Sequence, residues 1–323
     1  MVAVSSVRAA NSSLATSKPD LALTAVFIGG TAGIGLATLK AFAQHIPHPT
    51  AIIVGRSRSR FEPHLASLQQ LNPNGTFTFI EHEIELLSDV DATSQLILQT
   101  LAGKKIDLLY QSQGYISFAG RQPNADGLDS SIALRYHGRV RFTHNLSPSL
   151  APDARVVSIL AGTQEGKIFE DDLGLERNYS IPNSMGHFAS LMTLQYDFLA
   201  AQERSNGTGR TFIHAFPGLV STGVLGNSAT GVLGYLFRWI VEPLLALLVA
   251  AKPEDVGERM LFYGTDAGFG EEGRKEGKAV AVDDKGELGE NEMLRGYREK
   301  RIGEVAQRWE TGVWQRLGLE AGK

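Results

Sequence analysis

Two kinds of chemistry are written into this chain as residue types at fixed spacing. The first is anion binding. Gly29, Gly33 and Gly35 stand at G-x-x-x-G-x-G spacing in FIGGTAGIG, with Thr31 and Ile34 between them. Glycine tolerates left-handed backbone and carries no Cβ, so the chain can turn sharply and its N–H groups can approach a phosphate. The apolar run Leu23 to Ile28 stops at the first glycine, and a helical pattern through Leu36, Leu39 and Ala43 follows the last. Strand, glycine turn and helix make the first half of a βαβ unit. The helix N-terminus offers free N–H groups and partial positive charge to a pyrophosphate. Arg56 stands just past the second strand, Thr50 to Gly55, where an adenosine ribose is read. An acid there suits a 2′-hydroxyl and an arginine suits a 2′-phosphate, so the expected cofactor is NADP.

The second is proton transfer. Tyr179 and His187 lie in NYSIPNSMGHF, Ser158 in the strand-like ARVVSIL, and Arg135 in LRYHGR. A phenol gives a proton to an alkoxide, a neighbouring cation lowers the phenol pKa toward working pH, and a hydroxyl orients a carbonyl. The chain has no cysteine, which excludes thiolate nucleophiles, disulfides and zinc–thiolate centres. No His/Asp/Glu spacing points to a metal.

The glycine spacing, with its strand-to-helix context, resembles the short-chain dehydrogenase/reductase family over about residues 20–285, although Ile28 stands where the family usually has Thr. The resemblance implies a three-layer αβα Rossmann fold with a parallel seven-stranded sheet in the order 3-2-1-4-5-6-7. It implies further cofactor contacts at Glu85 and Leu86, matching an Asp-Val or Asp-Leu pair near the adenine. Gln113 and Gly114, in QSQG, match the Asn-Asn-Ala-Gly turn. Pro217, Gly218 and Thr222 match a segment that holds the nicotinamide carboxamide.

The catalytic half departs from that pattern. The family's Tyr-x-x-x-Lys is absent: Asn183 stands four residues after Tyr179. Ser158 falls earlier than the family's serine, with Thr163 as another hydroxyl, and Arg135 stands nearest to the supporting Asn. Three readings follow. One is a reductase in which Tyr179 donates the proton, tuned by His187 or Arg135. Another is a non-redox isomerase, cyclase or dehydratase that retains the cofactor pocket. The third is a regulator that senses NADP(H).

The elements must position these residues within one domain of 323 residues, since no repeat or low-complexity linker divides it. Residues 1–20 read as an N-terminal arm. Residues 222–252 are strongly apolar, and the family resemblance implies a lid over the substrate there; the apolar run is interrupted by Arg238, Glu242 and Pro243 and so too short to span a membrane. Residues 284–323 read as a helical extension whose alternating charges mark a solvated face. A net charge of −4 gives no electrostatic case for nucleic acid. An apolar lid implies an apolar substrate or a subunit contact, and the YSI and LRYHGR segments resemble those of fungal members tied to secondary metabolism, which would make the substrate a polyketide-like ketone. The expected location is cytoplasmic, and the family implies a homodimer or tetramer.

Overall fold

The computed structural model describes residues 2–218 and 251–320. Its strands are β1 (Ala22–Ile28), β2 (His48–Gly55), β3 (Thr76–Glu81), β4 (Ile106–Gln111), β5 (Leu150–Ile159), β6 (Thr211–Ala215) and β7 (Val280–Val282). All pair in parallel, in the order β3-β2-β1-β4-β5-β6-β7, the order the sequence implies. Parallel strands are covered on both faces, which is why the central ones read as continuous apolar runs. Side chains alternate between two cores. Val26, Ile52, Leu109 and Val156 enter one, and Phe27, Ile53, Tyr110 and Val157 enter the other.

The second core is closed by α2 (Gly33–His45), α3 (Arg58–Leu71) and α8 (Pro253–Thr265). The first is closed by α4 (Leu87–Leu101), the run from α5 (Ser130–Ile132) through a π-helical turn (Ala133–His137) into α6 (Gly138–Leu146), and α7 (Ile181–Ser205). The order of strands reverses between β1 and β4, and a ligand crevice opens at the carboxyl ends of strands at such a switch.

Two terminal expectations change. The N-terminal arm is a helix, α1 (Val4–Ser17), that buries Val7 and Asn11. Asn11 Nδ2 donates to Glu258 Oε2 on α8 at 2.6 Å, and Glu258 Oε1 also meets His45 Nε2 at 3.0 Å. The C-terminal extension is α10 (Glu292–Glu299) and α11 (Ile302–Arg316), separated by Arg301 in a left-handed conformation. It is not simply a solvated face, because Trp314 and Glu310 are fully buried and Glu310 Oε1 lies 2.7 Å from His137 Nδ1. The glycine-rich stretch before β7 holds the short helix α9 (Glu271–Glu276). Thr222 and nearly all of the expected lid, 222–252, lie outside the described residues. Among the described residues no helix is long and apolar enough to cross a membrane, and no group of three His, Asp or Glu side chains could hold a metal.

Candidate active site

A cleft of about 680 Å³ opens at the switch between β1 and β4. Its first wall is the glycine turn. Gly29 has φ +87°, and a Cβ there would lie 2.6 Å from the Gln113 nitrogen. A Cβ on Gly35 would lie 2.3 Å from Ser112 Oγ and 2.4 Å from the Gly29 carbonyl oxygen. Ser112 Oγ donates to that same carbonyl at 3.0 Å, stitching the turn to the end of β4. Thr31, Ala32, Gly33, Ile34 and Gly35 line the cleft, so the start of α2 faces it with unpaired N–H groups.

Arg56 lines the far end and is exposed, and no ion pair holds it among the described residues. Arg58, two residues on, is committed elsewhere: it donates to the Phe79 carbonyl and lies 5.5 Å over the Phe79 ring. Glu85 lines the cleft and accepts from Ser130 Oγ at 2.7 Å. Leu86 does not, because it is the residue that precedes the first turn of α4; Glu83 and Ile84 take its place in the wall. Gln113 and Gly114 form the floor, beside Pro217 and Ile159. The Gln113 side chain is 5% exposed, and neither Oε1 nor Nε2 has a hydrogen-bond partner. A buried carboxamide is left unpaired only at a cost, unless a ligand completes it. The glycine cradle and this carboxamide fit a dinucleotide. Gly218 follows at φ +76°, against Asp284.

Two of the four proton-transfer candidates, Arg135 and Tyr179, act on one another electrostatically beside the segment that carries Gly114 and Tyr115. Arg135 is 7% exposed, and its Cγ lies where a Cβ on Gly114 would fall, so that glycine makes room for the arginine stem. Arg135 Nε donates to Ser131 Oγ at 3.0 Å and Nη2 to Ser184 Oγ at 2.9 Å. Ser131 Oγ in turn donates to the Tyr115 carbonyl at 2.6 Å. Among the described residues no carboxylate pairs with Arg135, and burial lowers its pKa. Tyr179 is half-buried and near enough for the guanidinium to act on its phenol. Burial and the charge of Asp129 raise the Tyr179 pKa, while Arg135 pulls it down.

The other two are drawn away. Ser158 Oγ is fully buried in β5 and accepts from Arg139 Nη1 at 2.7 Å. His187 accepts the Phe169 N–H on Nδ1 at 3.1 Å and donates from Nε2 to the Leu173 carbonyl at 3.0 Å. Burial pushes its pKa down to about 4, so both nitrogens are spent holding the 166–178 loop as a neutral ring. None of the four candidate side chains is itself part of the cleft wall. Thr163, the other hydroxyl considered, has φ +67°, unusual for a β-branched residue, and its N–H is held by Glu165 Oε1 at 3.2 Å.

Sequence reasoning missed Arg139. It is fully buried, one turn beyond Arg135, and besides Ser158 it donates to the Ile159 carbonyl at 3.0 Å and the Gln113 carbonyl at 2.6 Å. Burial first, and the charge of Arg135 after it, push its pKa down to about 9. The signal was available in RYHGR: residues four apart share a helix face.

The parallel sheet, the glycine turn and the cleft at its switch point define a dinucleotide-binding α/β protein. A profile of the short chain dehydrogenase family matches residues 23–167. An oxidoreductase of Emericella nidulans, AN1596, is 38% identical over 271 residues, covering 83% of this chain and 78% of its own. The oxidoreductase lepF of Aspergillus flavus is 32% identical, covering 82% of this chain and 80% of its own. The chain therefore belongs to the short-chain dehydrogenase family and is an oxidoreductase of that family. Among solved structures, a short chain dehydrogenase from Burkholderia cenocepacia in complex with NADP superposes with a TM-score of 0.56 at 18% identity, covering 81% of this chain and 96% of that one. The angucycline C-6 ketoreductase LanV with bound NADP gives 0.55 at 14%, covering 76% and 89%. At such identities the likeness is one of fold.

Proposed function

We propose that the protein is an NADP(H)-dependent carbonyl reductase acting on an apolar, polyketide-like small molecule, with Tyr179 as proton donor and Arg135 as its electrostatic partner. The observation that carries this reading is a switch-point cleft whose glycine cradle and unpaired Gln113 carboxamide suit a nicotinamide dinucleotide, and the electrostatic pull of Arg135 on the Tyr179 phenol supports the choice of proton donor. The NADP bound in two structural neighbours and the oxidoreductase names of the fungal relatives support it.

When bound, the cofactor supplies a hydride. The chain supplies the rest. Arg56 stands ready for a 2′-phosphate, and the start of α2 for the diphosphate. Tyr179, its pKa above that of a free phenol, stays protonated at neutral pH. It can therefore give its proton to a carbonyl oxygen as that oxygen gains charge, and it regains one from solvent. A phenol held protonated is a donor more readily than a base, which favours reduction over oxidation. In this reading Arg135, a buried cation without a carboxylate in direct contact, stabilises the negative charge that gathers during that transfer. The same reading treats the chain as one cytoplasmic domain working as a homodimer.

The test is calorimetric titration with NADPH and NADH, followed by NADPH oxidation over a panel of apolar ketones. Saturable NADPH binding with turnover that falls about 100-fold or more in Tyr179→Phe supports the reading. Tight NADPH binding without turnover of any carbonyl would return the protein to the non-redox or sensing alternatives. No binding of either coenzyme would remove all three.

A further inference from the structure

The surroundings of Arg135 differ from those of an ordinary buried arginine. A guanidinium has five N–H donors, and buried arginines are usually matched to carboxylates or carbonyl oxygens. Here two donors meet serine hydroxyls, and among the described residues Nη1 meets nothing. The carboxylate whose charge reaches it, Asp129, holds backbone instead: Oδ1 accepts the Ile132 N–H at 3.0 Å and Oδ2 the Gln122 N–H at 2.8 Å. The cation is thus placed and oriented without a carboxylate in direct contact among the described residues.

Around it the surface is unusually apolar. Tyr115, whose carbonyl anchors Ser131, is 37% exposed, and Phe118 on the same loop is 48% exposed. Met185, next to the Ser184 that holds Nη2, is 42% exposed. Single exposed apolar side chains need no account, but three of them lie on the segments that hold one cation without a carboxylate partner. Charge and apolar rim select for a ligand that has both.

We propose that Arg135 is a specificity determinant for the substrate, and that the molecule reduced carries, on a ring-bearing apolar body, an anionic oxygen: a carboxylate, phenolate or enolate that pairs with the guanidinium. This rests on the reductase reading for its chemistry, although the ion pair itself requires no turnover. A neutral ketone of the same shape leaves the guanidinium desolvated and unpaired, which costs binding. An anion completes its donors in a site that excludes water, where charge-assisted bonds are strongest. The aliphatic stem, fixed by Gly114, keeps the guanidinium from following a misplaced ligand.

The experiment compares isosteres on the NADPH-loaded protein: 2-naphthoate against 2-naphthamide, and an acidic cyclic β-triketone against its enol methyl ether, by calorimetry. The expected result is a preference of roughly tenfold or more for each anion, weakening with added salt, lost in Arg135→Met and partly kept in Arg135→Lys. Equal affinity of the wild-type protein for the charged and neutral member of both pairs overturns the inference, as does a preference that survives in Arg135→Met. The wild-type comparison stands even where the variant fails to fold. NADPH affinity is measured first and separately. Where NADPH does not bind, the reductase reading fails, and the same comparison on the unloaded protein still decides the role of Arg135.

Discussion

Arg139 Nη1 donates to Ser158 Oγ at 2.7 Å, 19 residues apart in sequence and both fully buried. That bond decides what Ser158 does. Its oxygen faces a guanidinium beneath the crevice rather than a substrate within it. Ser158→Ala is expected to cost about 1–3 kcal/mol of stability, the usual penalty for a buried donor losing its acceptor, while NADPH affinity changes little. Urea unfolding and a fluorescence titration measure the two effects; turnover lost without loss of stability would make Ser158 catalytic after all.

Arg139→Met removes one cation and leaves the Gln113 and Ile159 carbonyls without this donor. Each buried acceptor left unsatisfied costs about 1–3 kcal/mol. Because Gln113 lies in the cleft floor, NADPH affinity should fall along with the unfolding midpoint. A variant as stable as the parent would show that the guanidinium is replaceable packing.

At the adenosine end, Arg56→Glu places an acid where no cation other than Arg56 is expected to meet a 2′-phosphate. NADPH affinity should drop by at least about tenfold while NADH affinity holds or improves. Parallel titrations give the ratio directly, and an equal fall for both coenzymes would remove Arg56 from the cofactor site.

A methyl at position 35 has nowhere to go. It would sit 2.4 Å from the Gly29 carbonyl oxygen and 2.3 Å from Ser112 Oγ, and while a hydroxyl can rotate away, backbone cannot. Gly35→Ala should therefore push the turn off the end of β4 and weaken either coenzyme by more than about tenfold, which corresponds to roughly 1.4 kcal/mol. Unchanged binding would mean that the phosphates do not rest on this turn.

Acid should destabilise the fold through two neutral histidines. Burial holds His187 down to about 4 and His214 down to about 3. His214 Nε2 accepts the Ala161 N–H at 3.1 Å, so Nδ1 carries the proton and faces Thr193 Oγ1 at 2.8 Å. The unfolded chain takes up these protons near pH 6.5 and the folded one only far below it. Stability from both is complete above about pH 6.5 and is lost as pH falls toward 4 and then 3. His187→Gln should flatten the upper part of that slope in urea midpoints measured against pH. A slope unchanged in the variant would assign the acid sensitivity to other groups.

Much of the fold was legible because its causes are local. Continuous apolar strands such as TAIIVG, helices with apolar residues at every third or fourth place, and glycines at the first turn are all short-range signals. From them the strands, the flanking helices and the glycine turn could be placed, while the strand order followed from the family resemblance and the sheet has that order. Helix α1 was not legible, because its buried side is little more than Val7 and Asn11, and the partner of Asn11 lies 247 residues away. The register after β3 was misjudged by motif, and the start of α4 put Ile84 rather than Leu86 in the wall.

The catalytic half could only be listed from sequence as four side chains with the right chemistry. Tertiary contacts sorted them. His187 is spent on a loop that begins some 20 residues before it, and Ser158 is captured by an arginine from another helix. Arg135 is held by two serine hydroxyls and, among the described residues, by no carboxylate. Residue type and spacing determine which groups a chain can bring to a site. Whether a polar group is free to act depends on which distant partner satisfies it first, and that competition is settled only when the chain packs.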